Sequence, residues 1–298
     1  MPLRLCARTR RGGGRGFQKR GRRCLARARG YWSEGRMSDA PRRCVLLAAG
    51  RGTRLGDITR NIPKPMVPLA GRPLLEHIVR NICEATPIRD FTIVVQYRAE
   101  SIIQHFGHGG SLGVRIHYVR QPENQPGTGG ALRAALETLP PEPVLMSFGD
   151  ILTDPSNYRR LLQAYTPEIA ALIGVNWLPD VSEGGGVWLD NSDRVFRLQE
   201  KPRHPDTNWN LAGVHIFSPT VLPVLRNLPL SARAEYELTD AIQRLLHQYP
   251  EFVRAVRFEG YWNDVGTPER LQQAKQYLQD CQHTRANQGS KSLPGGEP

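Results

Sequence analysis

The chain has 298 residues, 39% of them hydrophobic, with 40 Lys and Arg against 28 Asp and Glu. Such a length and hydrophobic share exclude a wholly unfolded chain and suffice for a sizeable core. No apolar run reaches the ~18–20 residues of a membrane span, and five cysteines without a C-x-x-C pair argue against a disulfide framework or a zinc knuckle.

The net charge of +12 is not spread evenly. Residues 1–36 carry 12 Lys and Arg and a single acid, Glu34, whereas the remaining 262 residues carry 28 bases and 27 acids. The basic character therefore belongs to a short Arg/Gly-rich extension that cannot pack a core, and residues 1–42 are expected to be disordered. Met37 stands just before the first strand, where a compact enzyme would begin, so residues 1–36 are read as an extension outside the functional chain. A phosphate-binding arm and an organellar transit peptide are the other readings of that piece. The near-neutral body gives no reason to expect nucleic acid as its partner. Cys6, Cys24, Cys44, Cys83 and Cys281 are expected to be reduced thiols, which places the protein in the cytoplasm.

From residue 43 onward, strands alternate with helices. Residues 43–49 form a continuous apolar strand. A helix is expected over 72–85, with Leu74, Leu75, Ile78 and Ile82 on one face. Strands follow at 91–95 and 114–119, with a short helix at 99–106 between them. Helix 129–139, strand 143–148, helix 158–165 and strand 169–175 continue the alternation. The second half is richer in strands: 186–189, 194–199, 211–217 and 252–258. Leu238, Ala241, Ile242, Leu245 and Leu246 place a helix over 237–249. The last helix is capped by Thr267 with Pro268 at its first position, and residues 283–298 are expected to be a disordered tail. Buried parallel strands with helical crossovers imply an α/β three-layer fold with a mixed, mostly parallel sheet. A single domain is expected over 43–282.

The chemistry starts where the first strand ends. Leu47-Ala48-Ala49-Gly50-Arg51-Gly52-Thr53-Arg54-Leu55 is a glycine-rich turn that lets backbone N–H groups approach phosphate oxygens, with Arg54 as a fork for them. The dinucleotide fingerprint fails because Leu55 stands where its third glycine belongs, and the G-K-[ST] of a P-loop is absent. Pro63-Lys64-Pro65 follows, a lysine held between two prolines. None of the eight histidines forms an H-x-x-x-H pair, and no Ser/His/Asp arrangement is legible; His215, inside an alternating strand, reads as a structural residue.

Together, the G-x-G-T-R-L turn and the P-K-P segment resemble the signature of the sugar-phosphate nucleotidylyltransferases. Further motifs of that family recur in order: Gln121 before Gly127-Thr128-Gly129-Gly130-Ala131-Leu132, Ser147 through Asp150, Gly186-Val187, Glu200-Lys201-Pro202, Asn210 through Val214, Tyr236 through Ile242, and Gly260 through Pro268. The resemblance covers roughly residues 43–280. It implies a nucleotide-diphospho-sugar transferase (Rossmann-like) fold and in-line attack by a sugar 1-phosphate on the α-phosphorus of an NTP, releasing pyrophosphate.

Under that resemblance, Asp150 and Asp264, 114 residues apart, are the expected ligands of one Mg²⁺. Arg54, Lys64 and Lys201 are the expected catalytic cations. Leu47, Ala49, Gly50, Gly52, Thr53, Gln121, Gly127 and Thr128 are expected to bind nucleotide, with Gln121 pairing to a base edge and Gly127 letting the base approach the backbone. Gly186, Glu200, Lys201 and Asn210 are expected to bind the sugar phosphate. Glucose 1-phosphate with dTTP or UTP is the favoured pair. Mannose 1-phosphate with GTP, and N-acetylhexosamine or N-acetylmuramic acid 1-phosphate with UTP, are alternatives. The base loop is closer to uridylyl- and guanylyltransferases, while the distal motifs lean toward thymidylyltransferases. A nucleotide-sensing regulatory subunit without catalysis is the alternative of another class, although the metal-site and phosphate-site residues it would be expected to lack are present. Relatives are often homo-oligomers. No left-handed β-helix domain is expected after the last helix, so a single activity is expected.

Overall fold

The computed structural model describes residues 40–289, with side chains to residue 283; the Arg/Gly-rich extension, Cys6, Cys24 and residues 290–298 lie outside the described residues. Thirteen strands and seven α-helices follow in order among them. The first half holds β1 (Arg43–Leu47), the two-residue pair β2 (Pro68–Leu69) and β3 (Arg72–Pro73), α1 (Leu74–Ala85), β4 (Asp90–Val95), α2 (Ala99–Phe106), β5 (Arg115–Arg120) and α3 (Gly127–Leu136). Then come β6 (Val144–Phe148), β7 (Ile151–Thr153), α4 (Pro155–Ala164), β8 (Ala171–Trp177), β9 (Gly185–Leu189), β10 (Val195–Glu200) and β11 (Trp209–Phe217). The chain closes with α5 (Val221–Arg226), α6 (Leu238–Gln248), β12 (Val253–Arg257), β13 (Trp262–Asp264) and α7 (Pro268–Gly289).

Nine strands make one mixed sheet whose main path is β10-β9-β11-β6-β1-β4-β5, with β8 and β12 extending from β11. The β6-β1-β4-β5 stretch is parallel, whereas β11 runs antiparallel to β6, β8 and β9. The alternation of β1 builds a core on each face. Cys44 and Leu46 join α1, α2, α4 and α7 on one side, through residues such as Ile78, Ile102, Leu161 and Ala274. Val45 and Leu47 join α3, α5 and α6 on the other, through Leu132, Val224 and Ile242. This is the expected three-layer arrangement: β1, β4 and β6 are apolar because both their faces are covered, whereas β5, at the sheet edge, carries the polar Arg115, His117 and Arg120.

Several boundaries differ from the sequence reading for local reasons. Pro68–Leu69 pairs with Arg72–Pro73 as a miniature hairpin, so α1 starts two residues later than its apolar spacing suggests. Strands β7 and β13 and helix α5 are too short to announce themselves by periodicity. Lys64 does not lie in an extended segment; it opens a single 3₁₀ turn, Lys64–Met66, in which the Val67 N–H donates to the Lys64 carbonyl. Helix α7 starts as expected, with the Arg270 N–H donating to Thr267 Oγ1, but it continues to Gly289, past the expected boundary at 282. Among the described residues, Cys44, Cys83 and Cys281 are thiols, and no helix is long and apolar enough to cross a membrane.

Candidate active site

The site lies beyond the carboxyl ends of β1 and β6, where open α/β sheets characteristically bind ligands. The two strands are in parallel register with Leu47 opposite Phe148, and the Gly149 N–H donates to the Leu47 carbonyl at 2.8 Å. The glycine turn and Asp150 therefore leave the sheet side by side. Strand β7 continues from Asp150 and pairs antiparallel with β13, with Asp264 opposite Ile151 and the Val265 N–H donating to the Asp150 carbonyl. This small two-stranded ladder brings the two aspartates together despite their separation in sequence. Strand alternation turns Asn263 away, and its amide donates to Tyr261 Oη and the Arg270 carbonyl.

Lys64 occupies the point where the two carboxylates converge. Its Nζ lies 2.5 Å from Asp150 Oδ2 and 3.1 Å from Asp264 Oδ1, and its side chain is 8% exposed. Burial alone would lower the ammonium's pKa; the two carboxylates outweigh that and hold it above the usual lysine value. Gly52 makes this fit possible, because a Cβ there would stand 2.6 Å from Lys64 Cβ and because its φ is +71°. Two guanidiniums flank the outer carboxylate oxygen: Arg54 at 3.8 Å and Arg270 at 3.6 Å from Asp264 Oδ2. Arg54 is 63% exposed, with its guanidinium beside Asp264 and Gly266. Around the turn, Leu47 and Ala49 are buried and Thr53 is exposed, while Gly50 has nothing within 4 Å of its would-be Cβ.

Among the described residues, no group of three or more His, Cys, Asp or Glu side chains forms a ready-made metal cage. The donor set still fits a hard divalent cation. Two carboxylates face one point that a cation already fills, and Mg²⁺ in such sites takes one or two carboxylates plus substrate phosphates.

The base-side residues have structural tasks that the sequence reading did not anticipate. Gln121 is buried, and its Nε2 donates to the carbonyls of Gln125 and Gly127 at 2.6 and 2.9 Å. The donor end of its amide is engaged by its own loop, so only Oε1 is left to meet a base. Gly127 has φ +87°, and a Cβ there would lie 2.6 Å from the Tyr236 carbonyl. Packing against residues 235 and 236 is by itself enough to require a glycine here. Thr128 Oγ1 accepts from the Leu238 N–H and so caps α6, while the Gly129 N–H donates to the Tyr236 carbonyl.

That same contact joins the base loop to the sugar-side residues. Glu200 ends β10, and burial followed by the nearby Glu237 carboxylate raises its pKa. Arg233 holds these acids together, with Nη2 2.7 Å from Glu237 Oε1, 3.6 Å from Glu200 and 3.8 Å from Glu235. Lys201 is in the left-handed region at φ +42°, and its Nζ lies 3.2 Å from Glu183. Gly186 sits beside Asn210 across β9 and β11, with Trp188 and Pro202 about its Cα. Asn210 is itself buried; its Nδ2 donates to Asn176 Oδ1 and to the Leu211 carbonyl. It supports the strand pair, and its donor is engaged there. Trp188 Nε1 donates to Asp206 and Trp262 Nε1 to the Ala212 carbonyl, so both indoles are anchored within the protein.

Arg233 and Arg270 lie outside the motifs that were read, and Glu237, inside one of them, was given no role. Arg233 had a legible signal, four residues before Glu237 in a run that directly adjoins Tyr236-Glu237-Leu238. Arg270 had none, because its position one turn into α7 faces Asp264 only through the β7–β13 pairing.

This architecture is that of the nucleotide-diphospho-sugar transferases. UDP-glucose pyrophosphorylase, solved in complex with UDP-glucose, superposes with a TM-score of 0.71 over 80% of this chain and 99% of its own, at 23% identity. The chain belongs to the nucleotidyl transferase family, whose profile matches residues 43–280. It is 33% identical over 234 residues to the bifunctional protein GlmU of Methanococcus aeolicus, which covers 78% of this chain and 54% of that protein. It is 32% identical over 227 residues to a glucose-1-phosphate thymidylyltransferase of Streptomyces griseus, covering 75% and 62% respectively. The chain thus spans little more than half the length of these relatives.

Proposed function

We propose that the protein joins an NTP to a sugar 1-phosphate, giving a nucleotide-sugar and pyrophosphate. The observation that carries this reading is the convergence of Asp150 and Asp264 on Lys64, beside a glycine turn with exposed Arg54. Family membership and the curated relatives support the same reaction class. Two anions must meet in line, so the chemistry needs alignment and charge neutralisation more than covalent participation.

In this reading the turn 50–54 receives the triphosphate, with its backbone N–H groups and Arg54 on the phosphate oxygens. Lys64 and Arg54 offset the charge that develops toward the departing pyrophosphate. Asp150 and Asp264 hold Mg²⁺, which when bound supplies Lewis-acid neutralisation of the phosphates. Lys201 and Arg233 orient the attacking sugar phosphate, and Glu200 accepts from sugar hydroxyls. Gln121 Oε1 faces the base as an acceptor, which suits the N3–H of uracil or thymine and disfavours cytosine, whose N3 is itself an acceptor. UTP or dTTP is therefore favoured over CTP, and the glucose-1-phosphate thymidylyltransferase among the similar proteins favours glucose 1-phosphate as its partner. A regulatory subunit without catalysis is disfavoured, because the carboxylates, the lysine and the arginine are assembled in one place. A cytoplasmic setting accords with the unpaired thiols.

The test is pyrophosphate release with Mg²⁺ over a grid of dTTP, UTP, GTP and CTP against the 1-phosphates of glucose, mannose and N-acetylglucosamine. Release that requires both an NTP and a sugar phosphate is the expected result, strongest with UTP or dTTP. Nucleotide binding without turnover across a widened sugar panel would move the reading to the regulatory alternative.

A further inference from the structure

Residues 50–60 must hold Arg54 in place, yet two of their glycines, Gly52 and Gly56, take positive φ, and Gly56 at φ 57°, ψ −128° is in a region open to glycine alone. Within the segment, Thr59 Oγ1 donates to the Gly52 carbonyl at 2.8 Å, so residues 52–59 are braced as a unit. Leu55 anchors the unit in the core beside Leu46 and Ala48, and a second tie to the sheet lies outside it, at the end of β4. Tyr97 Oη donates to the Arg60 carbonyl at 2.9 Å, and Arg98 Nη2 donates to the same oxygen at 3.3 Å. Arg98 Nε also donates to Tyr97 Oη at 3.1 Å, which turns the hydroxyl proton toward Arg60. At the other end of the segment, the Arg51 guanidinium lies 5.7 Å over the Tyr97 ring. One aromatic side chain thus reaches both ends of the segment.

Arg98 carries a further sign of constraint. Its φ is +48°, a left-handed conformation that a non-glycine residue adopts at a cost. A glycine would be more stable at this position but would have no guanidinium. Neither Tyr97 nor Arg98 has an ion pair or hydrogen bond to Asp150, Asp264 or Lys64 among the described contacts, so neither belongs to the charge cluster itself.

We propose that Tyr97 and Arg98 are positioning residues, a latch on Arg60 that pre-organises the 50–60 segment for the triphosphate. The proposal rests on the reading of that segment given above. Pre-organisation lowers the ordering cost of binding, so loss of the latch acts on nucleotide affinity and leaves the sugar-phosphate side untouched.

The experiment compares full-length wild type, Tyr97→Phe and Arg98→Gly by hydrogen–deuterium exchange without ligand, by thermal melting, and by kinetics with the most active substrate pair of the grid. Faster exchange confined to residues 52–60 is expected in both variants. The KM for NTP should rise about fivefold, the effect of one ordinary hydrogen bond, with the sugar 1-phosphate KM and kcat within about twofold of wild type. Arg98→Gly should melt no lower than wild type, which a merely structural arginine would not permit. Unchanged exchange over 52–60, or an equal rise in both KM values, would overturn the latch. A wild type that turns over no substrate pair would sink the enzymatic reading instead, and the exchange comparison would still decide whether the latch exists.

Discussion

Two charged clusters stand at the two ends of the candidate site, and they are built in opposite ways. At the triphosphate end, the buried group is the cation: Lys64 is 8% exposed and serves two carboxylates that are 24% and 29% exposed. At the sugar end, the buried group is an acid: Glu237 is 6% exposed and is served by Arg233, itself 46% exposed. A buried lysine between two acids is a point charge that a metal ion can replace or that can swing onto a phosphate. A planar guanidinium forked onto a buried glutamate is a fixed brace with an outer edge still open to an incoming anion. In the proposed reaction the first cluster would serve the chemistry and the second the orientation of the sugar phosphate.

Substitutions should separate the two. Asp150→Asn should lower kcat for pyrophosphate release roughly 10³-fold, since it removes one of two carboxylates holding the charge-neutralising ion. Saturating-substrate kinetics would show it, and retained activity would remove Asp150 from the metal role. Lys64→Met should lower kcat by a factor on the order of 10². It should also lower the melting temperature of the metal-free protein, because two facing carboxylates lose their shared cation, and added Mg²⁺ should recover the loss. At the other end, Arg233→Lys keeps the charge but loses the fork. It should raise the sugar 1-phosphate KM about tenfold and leave the NTP KM alone; the reverse split would exchange the functions of the two clusters.

A last effect concerns stability rather than catalysis. His215 in β11 is fully buried with neither ring nitrogen hydrogen-bonded, and burial pushes its pKa down to about 3. Its folded pKa lies below the unfolded value, so its contribution is complete above about pH 6.5 and declines as pH falls toward 3. Between pH 7 and pH 5 this amounts to about 2 kcal/mol. Urea denaturation at the two pH values should show that loss in wild type and a smaller one in His215→Leu.

Legibility followed the length of the signal. The long elements were readable because an apolar strand of five residues or a helix with four in-phase apolar positions must be buried, and burial on both faces of β1 already implied three layers. The candidate cations and acids were readable as types, since triphosphate chemistry needs Lys, Arg and Asp wherever they sit. The engaged amide of Gln121, the packing role of Gly127, the capping role of Thr128 and the buried amide of Asn210 were not readable. Three of these depend on a partner far away in sequence: Thr128 bonds to Leu238, Gly127 packs against Tyr236, and Asn210 bonds to Asn176; Gln121 bonds within its own loop, whose fold has no periodicity to announce it.

The residues themselves determined that this chain would form an α/β layer structure with a glycine turn and Arg54 at the end of its first strand. Local periodicity and side-chain chemistry suffice for that. Only the tertiary structure decided that Asp150 and Asp264 share one lysine, through a three-residue ladder between β7 and β13 that leaves no periodic trace. It alone set Arg233 beside Glu200, because contacts between distant segments follow from packing and no spacing along the chain encodes them, and it alone turned Arg270 back onto Asp264 at the start of α7.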